Sequence, residues 1–299
     1  KNMSLKVILC VFDGTEKELG ALDTAFSLAG AYAAKVRILH ISQTPSSYVG
    51  IYGEGVIESS YVIAAIEKEN KERLERAEQY VKSFAARHNV PLCDKNNVIT
   101  NDKTNNAVAE FVYFVGNVEN IIAEQGRLSD ILVVSRGVKD PSAIYDSAII
   151  SAIFDTGRPV LLIPKGKSEK TARWSCKNIS LAWDGGLEAA RAIYNSLPFL
   201  KNADKIQLLT ARGEGEACDL EAEEGIIKYL QCHGIHANGI IIAAGSRTTA
   251  EALLMRAKEL ESDLLVMGAY GHSRFREMIL GGLTNHMLET ADIPLLLSH

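Results

Sequence analysis

The sequence predicts an α/β protein built from two repeated, open, parallel-sheet domains with helices on both faces. Three observations lead there. Short apolar runs alternate with longer stretches of helical spacing along all 299 residues. The alternation restarts after a Lys/Gly/Ser-rich segment at Lys165–Thr171, which reads as a linker. Matched blocks also recur in order: VFDGTEKELGALDTAFSLA against AWDGGLEAARAIYNSLPFL, DILVVSRG against DLLVMGAY, and RPVLLIP against IPLLLSH. We read a duplication, with domains at 1–165 and 172–299, each of ordinary domain size.

In the first half, Lys6–Phe12 is a buried strand ending at Asp13-Gly14. Glu16–Ala34 carries a helical apolar stripe through Leu19, Leu22, Ala25, Phe26 and Ala29, and Val36–Ile41 is a second strand. Thr44–Gly55 reads as a loop, and Glu58–His88 as a long helix burying Leu74, Ala77, Val81 and Phe84 beneath a solvated charged face. A weak third strand is expected at Asp94–Thr100, and a helix at Asn106–Gln125 interrupted near Gly116. Asp130–Val134 and Arg158–Pro164 complete the half as strands.

The second half repeats this order. Its strands are expected at Asn178–Trp183, Lys205–Thr210, Ala237–Ile242, Asp263–Met267 and Ile293–Leu297. Helices are expected at Leu187–Leu200, Ala217–Cys232 and Thr248–Leu260. Each half thus runs β-α-β-α-β-α-β-α-β, the order of a parallel sheet.

Composition narrows the function. A net charge of −5 and a pI near 5.9 leave no broad basic surface, which argues against nucleic acid. No apolar run approaches ~20 residues and no signal peptide is read at Lys1–Leu5, so we expect a soluble cytoplasmic protein with no membrane partner. Five scattered cysteines suit reduced thiols. Cys232, His233 and His236 have the wrong spacing for a zinc finger, so no metal ligands are assigned.

The stretch with most chemical content is DLLVMGAYGHSRFREMILGGLTNHM, Asp263–Met287. Gly268 ends the strand, Gly271 follows, a basic tip holds His272 and Arg274, and Gly281, Gly282, Leu283 and Thr284 open the next helix. Glycines at a strand end admit an anion to backbone N–H groups, and a helix N-terminus adds more. The alternative is a glycine-rich turn of structural use only. No P-loop lysine lies between Gly268 and Thr284, and the spacing is not the dinucleotide fingerprint. His272 and Arg274 flank the cradle as candidate phosphate partners, with a solvated loop tip as the alternative.

Asp13 and Asp184 each end a first strand, where open α/β sheets bind ligands. Helix capping is the competing role, preferred for Asp13 and left open for Asp184. Aligning Asp130 with Asp263 puts Ser135, Val138 and Ala148 in place of Gly268, Gly271 and Gly281, so one cradle is intact and one is lost.

The G-x2-G-x9-G spacing of Gly268, Gly271 and Gly281 resembles the ATP-binding signature of the universal stress protein family. With the strand-end aspartates, the resemblance extends over nearly the whole chain, as a tandem two-domain member. That family usually has Ser or Thr after the last glycine, where Gly282 stands here; Thr284 offers another hydroxyl.

The resemblance implies an adenine-nucleotide α-hydrolase-like, Rossmann-like fold. It also implies ATP with Mg²⁺ or Mn²⁺, and a nucleotide-loaded regulatory or signalling role in stress responses. By position, Asp184 and Ala211 meet the adenine end, with Ala182 and Trp183 lining the pocket, although Trp183 by itself reads as a core residue.

Turnover should be slight, since no lysine, Mg²⁺ carboxylate pair or water-positioning base is evident. The alternatives are a nucleotide-free interaction protein, or a slow ATP hydrolase of the adenine-hydrolase type, although Asp184-Gly185-Gly186 lacks the serines of that type's loop. We expect the two halves to pair within the chain through their last strands, or two chains to form a homodimer.

Overall fold

The computed structural model describes residues 5–44, 60–93, 107–136, 144–164, 176–212, 220–270 and 282–299. Two compact units emerge, one from Ser4–Arg158 and the other from Pro159–Pro164 with Ser175–His299.

In the first unit, β1 (Val7–Val11) leads through a single 3-10 turn (Glu16–Glu18) into α1 (Leu19–Tyr32) and β2 (Lys35–Ser42). α2 (Ser60–His88), β3 (Val108–Val115), α3 (Val118–Gly126), β4 (Ile131–Ser135) and α4 (Ile144–Asp155) follow. The sheet order is β3-β2-β1-β4, all parallel. α1 packs with α2, and α3 with α4. Arg37 on β2 reaches Gln125 of α3 at 2.7 Å, whereas His40, three residues on, lies under the α2 side, so helices cover both faces.

The second unit opens with β5 (Val160–Ile163), then β6 (Asn178–Ala182), α5 (Leu187–Leu200), β7 (Lys205–Arg212) and α6 (Leu220–Cys232). It continues through β8 (Asn238–Ala243), α7 (Thr249–Glu259), β9 (Leu264–Gly268), α8 (Gly282–Thr290) and β10 (Leu295–Ser298). Its order is β5-β10-β9-β6-β7-β8. β4 and β9, the fourth strands of the repeat, lie fully buried or nearly so, as their unbroken apolar runs require.

The expected open sheets are present with one antiparallel exception, and one expected helix is corrected. The sheets are parallel except where β5 pairs antiparallel with β10, Leu296 opposite Leu161. The helix expected at Asn106–Gln125 is a strand followed by a shorter helix. Ala109–Val115 is rich in aromatic and β-branched residues, which suit a pleated surface, and Glu110 bonds Lys35 and Arg37 of β2 at 3.1 Å each. Gly116 turns the chain at φ +155°, and the Asn117 side chain caps α3 by accepting from Asn120 N. The strand expected at Asp94–Thr100, most of the Thr44–Gly55 loop and the Lys165–Thr171 linker lie outside the described residues.

Each unit keys its first strand to its fourth in the same way. Asp130 Oδ2 accepts from Lys6 N and Val7 N at 2.7 and 2.9 Å. Asp263 Oδ2 accepts from Lys177 N and Asn178 N at 2.8 and 2.9 Å. Deleting either carboxylate strands two backbone donors, so Asp130→Ala and Asp263→Ala should each cost about 2 kcal/mol in urea unfolding. Asp204→Ala, which breaks the exposed Lys177 ion pair, should cost less than about 0.5 kcal/mol. Equal small losses at all three positions would remove this keying role.

Candidate functional site

In both units the first and fourth strands of the repeat are neighbours, β1 beside β4 and β6 beside β9. The chain therefore leaves both strands at the same end of each sheet, side by side at its switch point.

In the second unit β6 ends at the buried Ala182, and Trp183 N extends the ladder by donating to Leu209 O at 2.9 Å. Trp183 is half-buried rather than a full core residue. Asp184 is exposed, and its Oδ1 accepts from Gly186 N at 2.8 Å. That bond is a local Asx turn: Gly186 is the N-cap of α5 and has no side-chain cap. Gly185 has φ +78°, and no atom of the described residues lies within 4 Å of where a Cβ would stand. Ala211, half-buried near the end of β7, pairs with Ile242 of β8.

Gly268 ends β9 under the first turn of α5, where a Cβ would lie 2.6 Å from Ala189 N and 2.8 Å from Glu188. This packing alone requires glycine, and it brings the Asp184 turn and the end of β9 together. Tyr270 then adopts a left-handed conformation, φ +61°, and its N–H donates to Thr284 Oγ1 at 3.1 Å. Thr284 is buried, so its hydroxyl oxygen ties the two ends of the intervening loop. Gly282 is exposed at the start of α8, with no atom of the described residues within 4 Å of a Cβ added there, and Leu283 follows half-buried. The early N–H groups of α8 have no partner within the helix. Gly271, His272, Arg274 and Gly281 lie outside the described residues.

The matching place in the first unit is occupied by its own side chains. Asp13 does not cap α1. Its Oδ1 accepts from Thr15 N at 2.8 Å, and Arg73 of α2 donates to its Oδ2 at 2.7 Å. Asp13 N donates to Glu18 Oε2 at 2.7 Å, and Glu18 is buried. Gly14, at φ +85°, lies so close under α2 that a Cβ would meet Arg73 O at 2.6 Å.

Burial, with the Asp13 carboxylate beside it, pushes the Glu18 carboxyl well above its usual range. Burial also works to raise Asp13, but its bond with Glu18, the Arg73 guanidinium and Thr15 outweigh that and hold it below the ordinary value. Ser135 closes β4 fully buried, and Ala148 lies inside α4, where helix N–H groups are already paired. Val138 falls outside the described residues.

Sequence reasoning missed this cluster because Arg73 sits on a helix face read as solvated. It also missed that Gly268 is required by α5. The five-residue interval from Asp13 to Glu18 was the available signal for the first, since it spans one tight turn.

No curated protein matches the chain in sequence. Among solved structures, a universal stress protein from Archaeoglobus fulgidus DSM 4304 matches at a TM-score of 0.67 and 14% identity, over 98% of this chain and 97% of its own. A protein from Pseudomonas aeruginosa UCBPP-PA14, described as a universal stress protein, matches at 0.57 and 15%, over 98% and 93%. The cytoplasmic domain of a prokaryotic cation chloride cotransporter matches at 0.51 and 13%, over 98% and 95%. At such identities these likenesses speak for the fold alone. Membership rests on the family model, described as the universal stress protein family, which matches residues 4–91 and 169–299. Most of this sequence lies in those two segments, and the chain belongs to the universal stress protein family.

Proposed function

We propose that the chain binds one ATP, in its second domain (172–299), and serves as a nucleotide-loaded regulatory module with little or no turnover. The observation that carries this reading is the contrast between the two strand-end aspartates. Asp184 is exposed beside a glycine with open space, whereas Asp13 is taken by Arg73, Thr15 and Glu18. In this proposal Ala182, Trp183, Asp184 and Ala211 hold the adenine end. Gly268, Gly271, His272, Arg274, Gly281, Gly282 and Leu283 surround the phosphates, with Thr284 bracing the loop. Mg²⁺ or Mn²⁺ accompanies the nucleotide. The setting is a cytoplasmic stress response, and pairing of the two domains within a chain, or of two chains, belongs to the same proposal.

The competing reading is a nucleotide-free interaction protein. It is favoured by Gly268, whose packing against α5 needs no ligand to explain it. Two glycines separate these readings. Gly268→Ala should cost about 1–3 kcal/mol of stability by overpacking. Gly282→Ala should leave stability within about 0.5 kcal/mol and weaken ATP binding. If Gly282→Ala changes neither property, α8 has no part in holding phosphate.

Calorimetric titration of the full chain with ATP and Mg²⁺ should give one site. Asp184→Ala and Gly271→Val should each weaken it at least about tenfold, or about 1.4 kcal/mol. Asp13→Ala should leave the number of sites unchanged. Two equivalent sites, or undiminished affinity in folded Gly271→Val, would overturn the assignment.

A further inference from the structure

The first unit holds a charged cluster that the proposed function does not use. Asp13 and Glu18 are neighbouring carboxyl groups at the end of β1 and on the 3-10 turn, and Arg73 of α2 is the cation bonded to Asp13. His40 of β2 lies beside them, 2% exposed. Its Nδ1 stands 3.0 Å from Phe12 O, and its Nε2 has no hydrogen-bond partner among the described residues. α2 also contributes Glu78, whose charge acts on His40, and Tyr80, whose ring meets Phe12 edge-on at 6.2 Å. Cys10 of β1 lies fully buried and feels the Glu18 charge.

Charge counting defines the state of this cluster. Asp13⁻ and Arg73⁺ cancel, so a second buried carboxylate would be uncompensated unless Glu18 keeps its proton. With that proton, Glu18 bonds Asp13 and the cluster is neutral.

We propose that Asp13, Glu18 and Arg73 form a one-proton latch that holds α2 closed over the Asp13–Gly14 turn, and that loss of the proton releases α2 there. Closing requires the protonated Glu18. Once α2 lifts away, Glu18 meets water and ionises at an ordinary carboxyl value, so opening releases a proton. The opening constant therefore rises about tenfold per pH unit while Glu18 is protonated in the closed state only. Burial holds His40 neutral when closed, and above about pH 7 it is neutral in the open state too. Burial pushes the Cys10 thiol well up, away from neutrality.

Hydrogen exchange on the full chain tests this, corrected for intrinsic rates, between about pH 7 and about pH 8. Amides of α2 should exchange about tenfold faster at the higher pH, and amides of α7 in the second unit should not change. Glu18→Gln keeps a hydrogen-bond donor beside Asp13 and cannot ionise, so its α2 exchange should be flat. The same pH dependence in wild type and Glu18→Gln overturns the latch. Should that variant fail to fold, carboxyl-carbon NMR of the wild-type protein decides. One glutamate still protonated at about pH 7 supports the latch, and a full set of ionised glutamates overturns it.

Discussion

In each unit one carboxylate oxygen at the foot of the fourth strand takes two backbone N–H groups from the foot of the first. Asp130 does this for Lys6 and Val7, and Asp263 for Lys177 and Asn178. The bond fixes the relative height of two neighbouring strands. Whatever leaves their far ends is therefore held at a set separation: Asp13 and Ser135 in one unit, Asp184 and Gly268 in the other. These charged hydrogen bonds lie at the opposite end of the strands from Asp13 and Asp184, and both copies keep them. The duplicated halves have kept this foot while their tops have diverged.

The divergence is visible in what covers the first strand's end. Asp184 is left facing solvent, and Gly185 has room beside it. Asp13 faces the guanidinium of a helix that lies tight on Gly14. The same backbone turn thus presents a carboxylate to the outside in one unit and neutralises it inside the other. Glu18 deepens the contrast, since its equivalent by alignment is Ala189, whose backbone seats on Gly268. One position supplies a buried acid in the first copy and a helix-packing contact in the second.

Much of the fold was legible because strand burial writes itself as unbroken apolar runs. ILVV and LLVM are recognisable without any neighbour. β3 was not, because it mixes the half-buried Glu110, Tyr113 and Phe114 into a run that has no clean period. The antiparallel β5–β10 pair was also hidden, since apolar runs carry no direction. At the site, sequence located Asp184 and the glycines, yet the reasons for single residues needed coordinates. Gly268 answers to Ala189, the Thr284 hydroxyl answers to Tyr270, and Arg73 leaves the solvated face of its helix to meet Asp13.

The β5–β10 pairing also bears on how the chain is made. β10 is the last of the second unit's described strands to be translated, and its antiparallel partner β5 is the first of them. The second unit therefore makes this pairing only once β10 has been translated, by a contact between the first and last of its described strands. Such a closure is entropically slow. Until it forms, the apolar Val160–Ile163 segment has to be kept from pairing with other nascent chains.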